Sequence, residues 1–177
     1  MTRIISLYVA VSGLADRALG PLLPVLARLV FAGVLAVYFW NSALTKLGPG
    51  PFGFLSPSSG AFAQIYPRAM EAVSYDQSKL GFIPHLVVLL GTWAELILPL
   101  LIVIGLLTRL AALGMIGFIA VQTATDVVGL GAAFGAWFDR ASDAPIADQR
   151  ALWLFLLLVL VAKGGGALSL DRLLLRA

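Results

Sequence analysis

The 177-residue chain contains no cysteine, which excludes disulfides, iron–sulfur clusters, thiolate metal sites and thiol redox catalysis in one step. Its single histidine, His85, cannot supply a bis-histidine haem within one chain. One imidazole with scattered carboxylates also does not match a zinc or iron ligand set, so no metal site is expected. Charge is scarce as well: Asp, Glu, Lys and Arg make up 12%, against roughly 25% in a soluble domain. A disordered chain, which needs high net charge and low hydrophobicity, is excluded, as is a coiled coil. HExxH, Walker and dinucleotide-binding glycine patterns are missing, and Gly164–Gly166 breaks a helix without a preceding strand, so it is no phosphate cradle. No self-sufficient catalytic motif is present, and redox chemistry would need a quinone, a flavin or a partner chain.

What the chain has is apolar mass. Hydrophobic residues make up 60% and mean hydropathy is +0.99, the composition of an integral membrane protein. The net charge of +3 is spread from Arg3 to Arg176 without a cluster, which argues for membrane-flanking cations and against a nucleic-acid partner.

The expected fold class is all-α, a transmembrane four-helix bundle with an N-terminal interfacial helix, forming one membrane domain over 1–177. Residues 1–20 carry Arg3, Asp16 and Arg17 around a short apolar run and read as the interfacial helix. Spans are expected at about 21–47, 83–107, 110–130 and 148–163. Only Thr108 and Arg109 separate the second from the third, which forces an antiparallel hairpin. The charge-free part of the fourth, Ala151 to Ala162, is short of the roughly 30 Å hydrocarbon core, so a flanking charge must snorkel. The connection from Gly48 to Phe82 is too apolar for a solvated linker: Phe52, Phe54, Phe62, Tyr66 and Phe82 read as interfacial anchors, with a short surface helix over Gly60–Ser74. Trp137 and Phe138 read as sitting at the same interface. Residues 164–177 should form a short C-terminal helix capped by Ser169, with Asp171 in its first turn. An inner N-terminus places Arg3, Arg17, Arg28, Arg109, Lys163, Arg172 and Arg176 inside and Lys46, Arg68, Lys79, Arg140 and Arg150 outside. That bias predicts both termini cytoplasmic.

Ionisable groups at membrane depth face the bundle interior and mark a site or a packing contact. Glu95 lies twelve residues from either end of its span and is the candidate proton-handling, catalytic residue. Arg28 is the expected partner of Glu95, with Lys163 as competitor; the alternative for both cations is lipid phosphate. Antiparallel threading groups Trp40, Asn41, Lys46, His85, Gln122 and Asp126 towards the outer side. With Trp93 and Arg28 these are the candidate cofactor-binding residues: Asp126 could pair with Lys46, and His85 with Asn41 could bind a quinone carbonyl. The alternative is an internally satisfied polar plug. Arg109, Lys163 and Asp171 read as structural polar residues. Gly105, Gly114 and Gly117 would permit close helix contacts within or between chains, so a homo-oligomer is open.

Arg28, the SALTKL ending of the first span, the GTWAELILPLLIVIGLLTRLAAL hairpin and the KGGGALSLDRLL ending together resemble the DoxX family, over roughly Arg28 to Leu174. The first span departs from the family pattern in ending WNSALTKL, where relatives often carry a glycine-containing turn before the lysine. The resemblance implies a four-helix membrane bundle associated with redox systems, and adds weight to Arg28, Lys46, Glu95, Arg109 and Lys163. The function expected is a quinone-interacting accessory subunit of a membrane oxidoreductase complex in a bacterial inner membrane. The alternative is a non-enzymatic anchor or assembly factor that docks a partner protein through Gly48–Phe82 and Gly131–Gln149. A transporter is disfavoured, for want of an inverted repeat or a pair of broken helices.

Overall fold

The computed structural model describes residues 2–174, and these form helices and turns with no strand. The N-terminal helix α1 covers Thr2–Leu19. Helix α2 runs through Leu23–Lys46 and contains a π turn at Ala32–Ala36. The short helices α3 (Ser59–Ile65) and α4 (Pro67–Ala72) follow, then α5 (Phe82–Ile104), α6 (Thr108–Gly129, ending in a π turn at Thr125–Gly129), α7 (Ala147–Lys163) and α8 (Leu170–Leu174). Residues 175–177 of the expected C-terminal helix, with Arg176, lie outside the described residues.

Among the described residues, α2, α5 and α6 are long and apolar enough to cross a membrane. Helix α7 has 17 residues, about 26 Å at 1.5 Å per residue. It packs between α2 and α6, while α5 packs against α2 and α6, so the four helices enclose one apolar interior. Phe31, Leu35 and Phe39 repeat every fourth residue on α2 and line that interior with Ile102 of α5, Ala111, Ala112, Met115 and Ile119 of α6, and Leu157 and Leu160 of α7. Such spacing puts one stripe of each helix inward and leaves the remaining apolar surface outward. Phe39 meets Phe118 and Trp153 edge to face at centroid distances of 5.8 and 6.2 Å, tying α2, α6 and α7 together.

The break between α5 and α6 falls at Gly105–Leu107, not at Thr108–Arg109. Gly105 takes φ +71°, and the N–H groups of Gly105 and Leu106 bond the carbonyls of Ile102 and Leu101, the paired bonds that end a helix at a left-handed residue. Asp171 restarts the chain: its carboxylate accepts from Leu107 N at 2.6 Å and Thr108 N at 2.9 Å. Burial pushes the pKa of Asp171 upward, but those hydrogen bonds and the nearby Arg28 charge outweigh it and hold the group below the ordinary carboxylate range. Ser169 caps α8, as its position suggests, by accepting from Arg172 N at 3.3 Å.

The connection from Gly48 to Gly81 lies over one end of this assembly. Its expected single surface helix is split in two because Pro67 forces Tyr66 out of helical conformation, at φ −126° and ψ 58°. Phe62 is not an interfacial anchor: it is fully buried with Ala61, Met70 and Val88. Phe52 and Phe82 are exposed. Trp137 and Phe138 are exposed on the irregular chain before α7, where the Trp137 indole donates to the carbonyl of Ala147.

Candidate functional site

Three residues spaced by four, Tyr38, Ser42 and Lys46, fall on one face of the last turns of α2, and all three line a cavity of about 700 Å³. Glu95 and Gly91 of α5, Gly114, Gly117, Phe118, Val121, Gln122 and Asp126 of α6, and Ile65 of α3 contribute to the same wall. Apart from its few polar groups the lining is apolar. Leu90 and Val121, at its edge between α5 and α6, are themselves exposed.

The centre of the polar wall is an ion pair. Lys46 Nζ lies 2.8 Å from Glu95 Oε2 and 3.0 Å from Oε1, and both side chains are about 95% buried. Ser42 closes a triangle, its hydroxyl accepting from Lys46 Nζ at 2.6 Å and facing Glu95 Oε1 at 3.2 Å. Helical side chains lean towards the N-terminus of their own helix, and α2 and α5 run antiparallel. Lys46 therefore leans inward and Glu95 leans towards it. Arg28 leans the other way, so the expected Arg28–Glu95 pair does not form. The Arg28 guanidinium instead donates to the carbonyls of Ile102 and Val103 at the end of α5 and to those of Gly165 and Leu168. Lys163 does not reach Glu95 either; it lies at that same end, beside Arg109.

The expected Lys46–Asp126 pair is also replaced. Asp126 pairs with Arg150, near the start of α7, and Arg150 Nη1 donates to Thr123 Oγ1 at 2.6 Å. In the same cavity, Gln122 Nε2 donates to the Tyr38 hydroxyl at 3.2 Å, while Gln122 Oε1 is buried without a partner. The bonds among described residues thus leave one acceptor at Gln122 and the Tyr38 O–H unspent.

Of the candidate binding residues, Lys46, Gln122 and Asp126 meet in this cavity with Glu95, the candidate catalytic residue. Trp40, Asn41, His85, Trp93 and Arg28 do not line it. The Trp40 indole donates to the carbonyl of Leu96 at 3.1 Å, one residue beyond the carbonyl of Glu95, which Pro99 cannot serve for want of an N–H. Trp93 donates to the carbonyl of Phe54 at 2.7 Å, and Asn41 is exposed. His85 packs its ring on Phe62 with centroids 4.8 Å apart and holds the carbonyl of Gly81 through Nδ1. The sequence reading missed Tyr38, Ser42 and Arg150; the four-residue spacing back from Lys46 was the available signal for the first two. Among the described residues no group of His, Asp or Glu side chains has metal-site geometry.

No curated protein and no solved structure matches this chain. The family model described as DoxX matches residues 23–126, from the start of α2 to Asp126, and so takes in the hairpin and every residue of the Lys46–Glu95–Ser42 triangle. An integral membrane protein by its apolar helices and by this match, the chain belongs to the DoxX family.

Proposed function

We propose that this chain is a quinone-interacting accessory subunit of a membrane oxidoreductase complex. The observation that carries the reading is a buried Lys46–Glu95 pair set in the wall of an otherwise apolar cavity of about 700 Å³, within the range of small-molecule sites. An ionisable residue at membrane depth is by default a functional-site hypothesis, with its partner named. The cavity suits a flat, apolar quinone ring: the Tyr38 hydroxyl has a proton to donate to a ring carbonyl, and Gln122 Oε1, a buried acceptor without a partner, can accept from the hydroxyl of the reduced quinol form. A bound quinone would supply two-electron, two-proton redox chemistry, with electrons delivered by a partner subunit, since this chain lacks redox ligands of its own.

The protein's part is positioning and proton handling. Tyr38 and Gln122 orient a ring against Phe118. Glu95 Oε1 holds or releases a proton through the Ser42 hydroxyl, while the Lys46 ammonium stabilises the carboxylate form. The exposed flank of Leu90 and Val121 lets an apolar molecule enter from the lipid side. We further read the chain as a single membrane domain in a bacterial inner membrane. In this reading α7 serves as the fourth span by snorkelling its terminal charges, α1 lies in the interface, and both termini are cytoplasmic.

Glu95→Gln in the intact complex, which loses stability because it strands Lys46, should lower quinone-coupled turnover by roughly 100-fold or more, the usual size of a general acid–base contribution, when assayed at a temperature where circular dichroism shows it still folded. Unchanged turnover in the folded variant would favour the second reading, a membrane anchor. Exposed Phe134, Trp137 and Phe138 on the irregular chain before α7 support that alternative as a docking surface.

A further inference from the structure

The two ends of the helix assembly treat their cations differently. At the end bearing the cavity, Lys46 and Arg150 are buried and matched to Glu95 and Asp126. At the opposite end, Arg109, Lys163 and Arg172 converge on a depression of about 520 Å³ between the α5–α6 hairpin and the C-terminal turn. The one acid in that lining is Asp171, and both its oxygens are taken by the N–H groups of Leu107 and Thr108. Arg109 spends one N–H on the carbonyl of Val161. Among the described residues no ion pair or side-chain hydrogen bond engages Lys163 or the Arg172 guanidinium, and all three cations are exposed.

We propose that this depression binds the phosphate group of an anionic membrane phospholipid. The proposal stands apart from the quinone reading and uses none of its residues. Three converging cations around a spent carboxylate make an anion site, and arginine with lysine suits phosphate in particular. The mount is fixed, because Arg28 grips the turn through the carbonyls of Gly165 and Leu168, and Asp171 N bonds the carbonyl of Gly105 at 2.8 Å. The turn also packs too closely for a side chain at position 165, where a Cβ would fall 2.7 Å from Thr108 Oγ1. An amphiphile is favoured over a free anion by the surroundings: Leu107 and Leu110 in the lining, with Leu168 and Leu173 on the turn and α8 that follow, are exposed and would meet acyl chains beside the headgroup. Basic pockets between helix ends are the usual seat of such headgroups.

The test is native mass spectrometry of the full chain in neutral detergent, titrated with phosphatidylglycerol and with phosphatidylcholine of the same acyl composition. Phosphatidylglycerol should bind at least tenfold more tightly. Arg172→Gln should weaken it about fivefold, the effect of one cation near a charged headgroup, and the Arg109→Gln/Lys163→Gln/Arg172→Gln variant should lose the preference. Arg68→Gln, at the other end of the molecule, should change nothing. Equal binding of the two lipids by the unaltered chain, or an undiminished preference in Arg172→Gln, overturns the proposal. So does displacement of the lipid by millimolar inorganic phosphate, which would assign the site to a free anion. Should the triple variant fail to fold, Arg172→Gln decides alone, since its exposed side chain holds nothing in place.

Discussion

Lys46 is the last residue of a long helix and yet is 5% exposed, a position tolerable for an ammonium only because Glu95 and Ser42 surround it. Removing one partner strands the other. Lys46→Met should destabilise the protein by about 4 kcal/mol, and Glu95→Leu by a similar amount, because each leaves an uncompensated buried charge. The double variant Lys46→Met/Glu95→Leu replaces the pair with apolar bulk and should cost far less than the sum. Unfolding of the four proteins in mild detergent checks this, and additive losses would show that the two side chains do not act as a pair. That Glu95 needs a partner was legible from its place in the middle of an apolar run. Its partner was not, because distance along straight helices favours Arg28, whereas the opposed lean of side chains on antiparallel helices turns Arg28 away and brings Lys46 in.

Elements were legible where apolar runs are long and blurred where they end. The cores of α2, α5 and α6 follow directly from runs too apolar for anything but a membrane or a buried core. The hairpin was placed three residues late because its sequence, IGLLTRL, stays apolar through the turn, and hydropathy does not register a change of backbone handedness. Gly105 makes that change: a Cβ there would lie 2.6 Å from Ser169 Cβ and 2.8 Å from the Arg28 guanidinium carbon. Gly105→Ala should therefore cost about 1–2 kcal/mol for the left-handed conformation alone, with more from displacing Arg28. Thermal melts in detergent should fall by several degrees, while Gly117→Ala, where a Cβ meets nothing within 4 Å, should leave the melt unchanged. Equal melts for the two variants would remove the hairpin glycine from the list of structural determinants.

At the scale of the molecule, an apolar interior and a cavity with a buried ion pair in its wall both depend on which helix stands beside which, and that pairing is carried by contacts far apart in sequence. Composition established a membrane protein, and antiparallel threading brought Gln122, Asp126 and Lys46 to one end. It did not reveal that Arg150 would claim Asp126, since α7 enters after a long irregular connection whose path no local pattern dictates. Helix α1 is the element least tied to the rest. Its apolar residues Ile4, Leu7, Val11 and Leu14 share a face and are all exposed, uncovered by the other described residues. If α1 lies in the interface, depth follows the helix face; if it spans, depth follows position along the axis. The absence of native cysteine permits single nitroxide labels at Ser6, Leu7, Gly13 and Leu14, one at a time, in liposomes. An in-plane helix gives Ser6 and Gly13 the same shallow depth, and Leu7 and Leu14 the same greater one. A spanning helix gives Ser6 and Leu7 nearly equal depths and separates both from Gly13 and Leu14 by about 10 Å, seven residues at 1.5 Å each. Power-saturation measurements of accessibility to oxygen and to a water-soluble nickel reagent read these depths, and the second pattern would move α1 from the membrane surface into its interior.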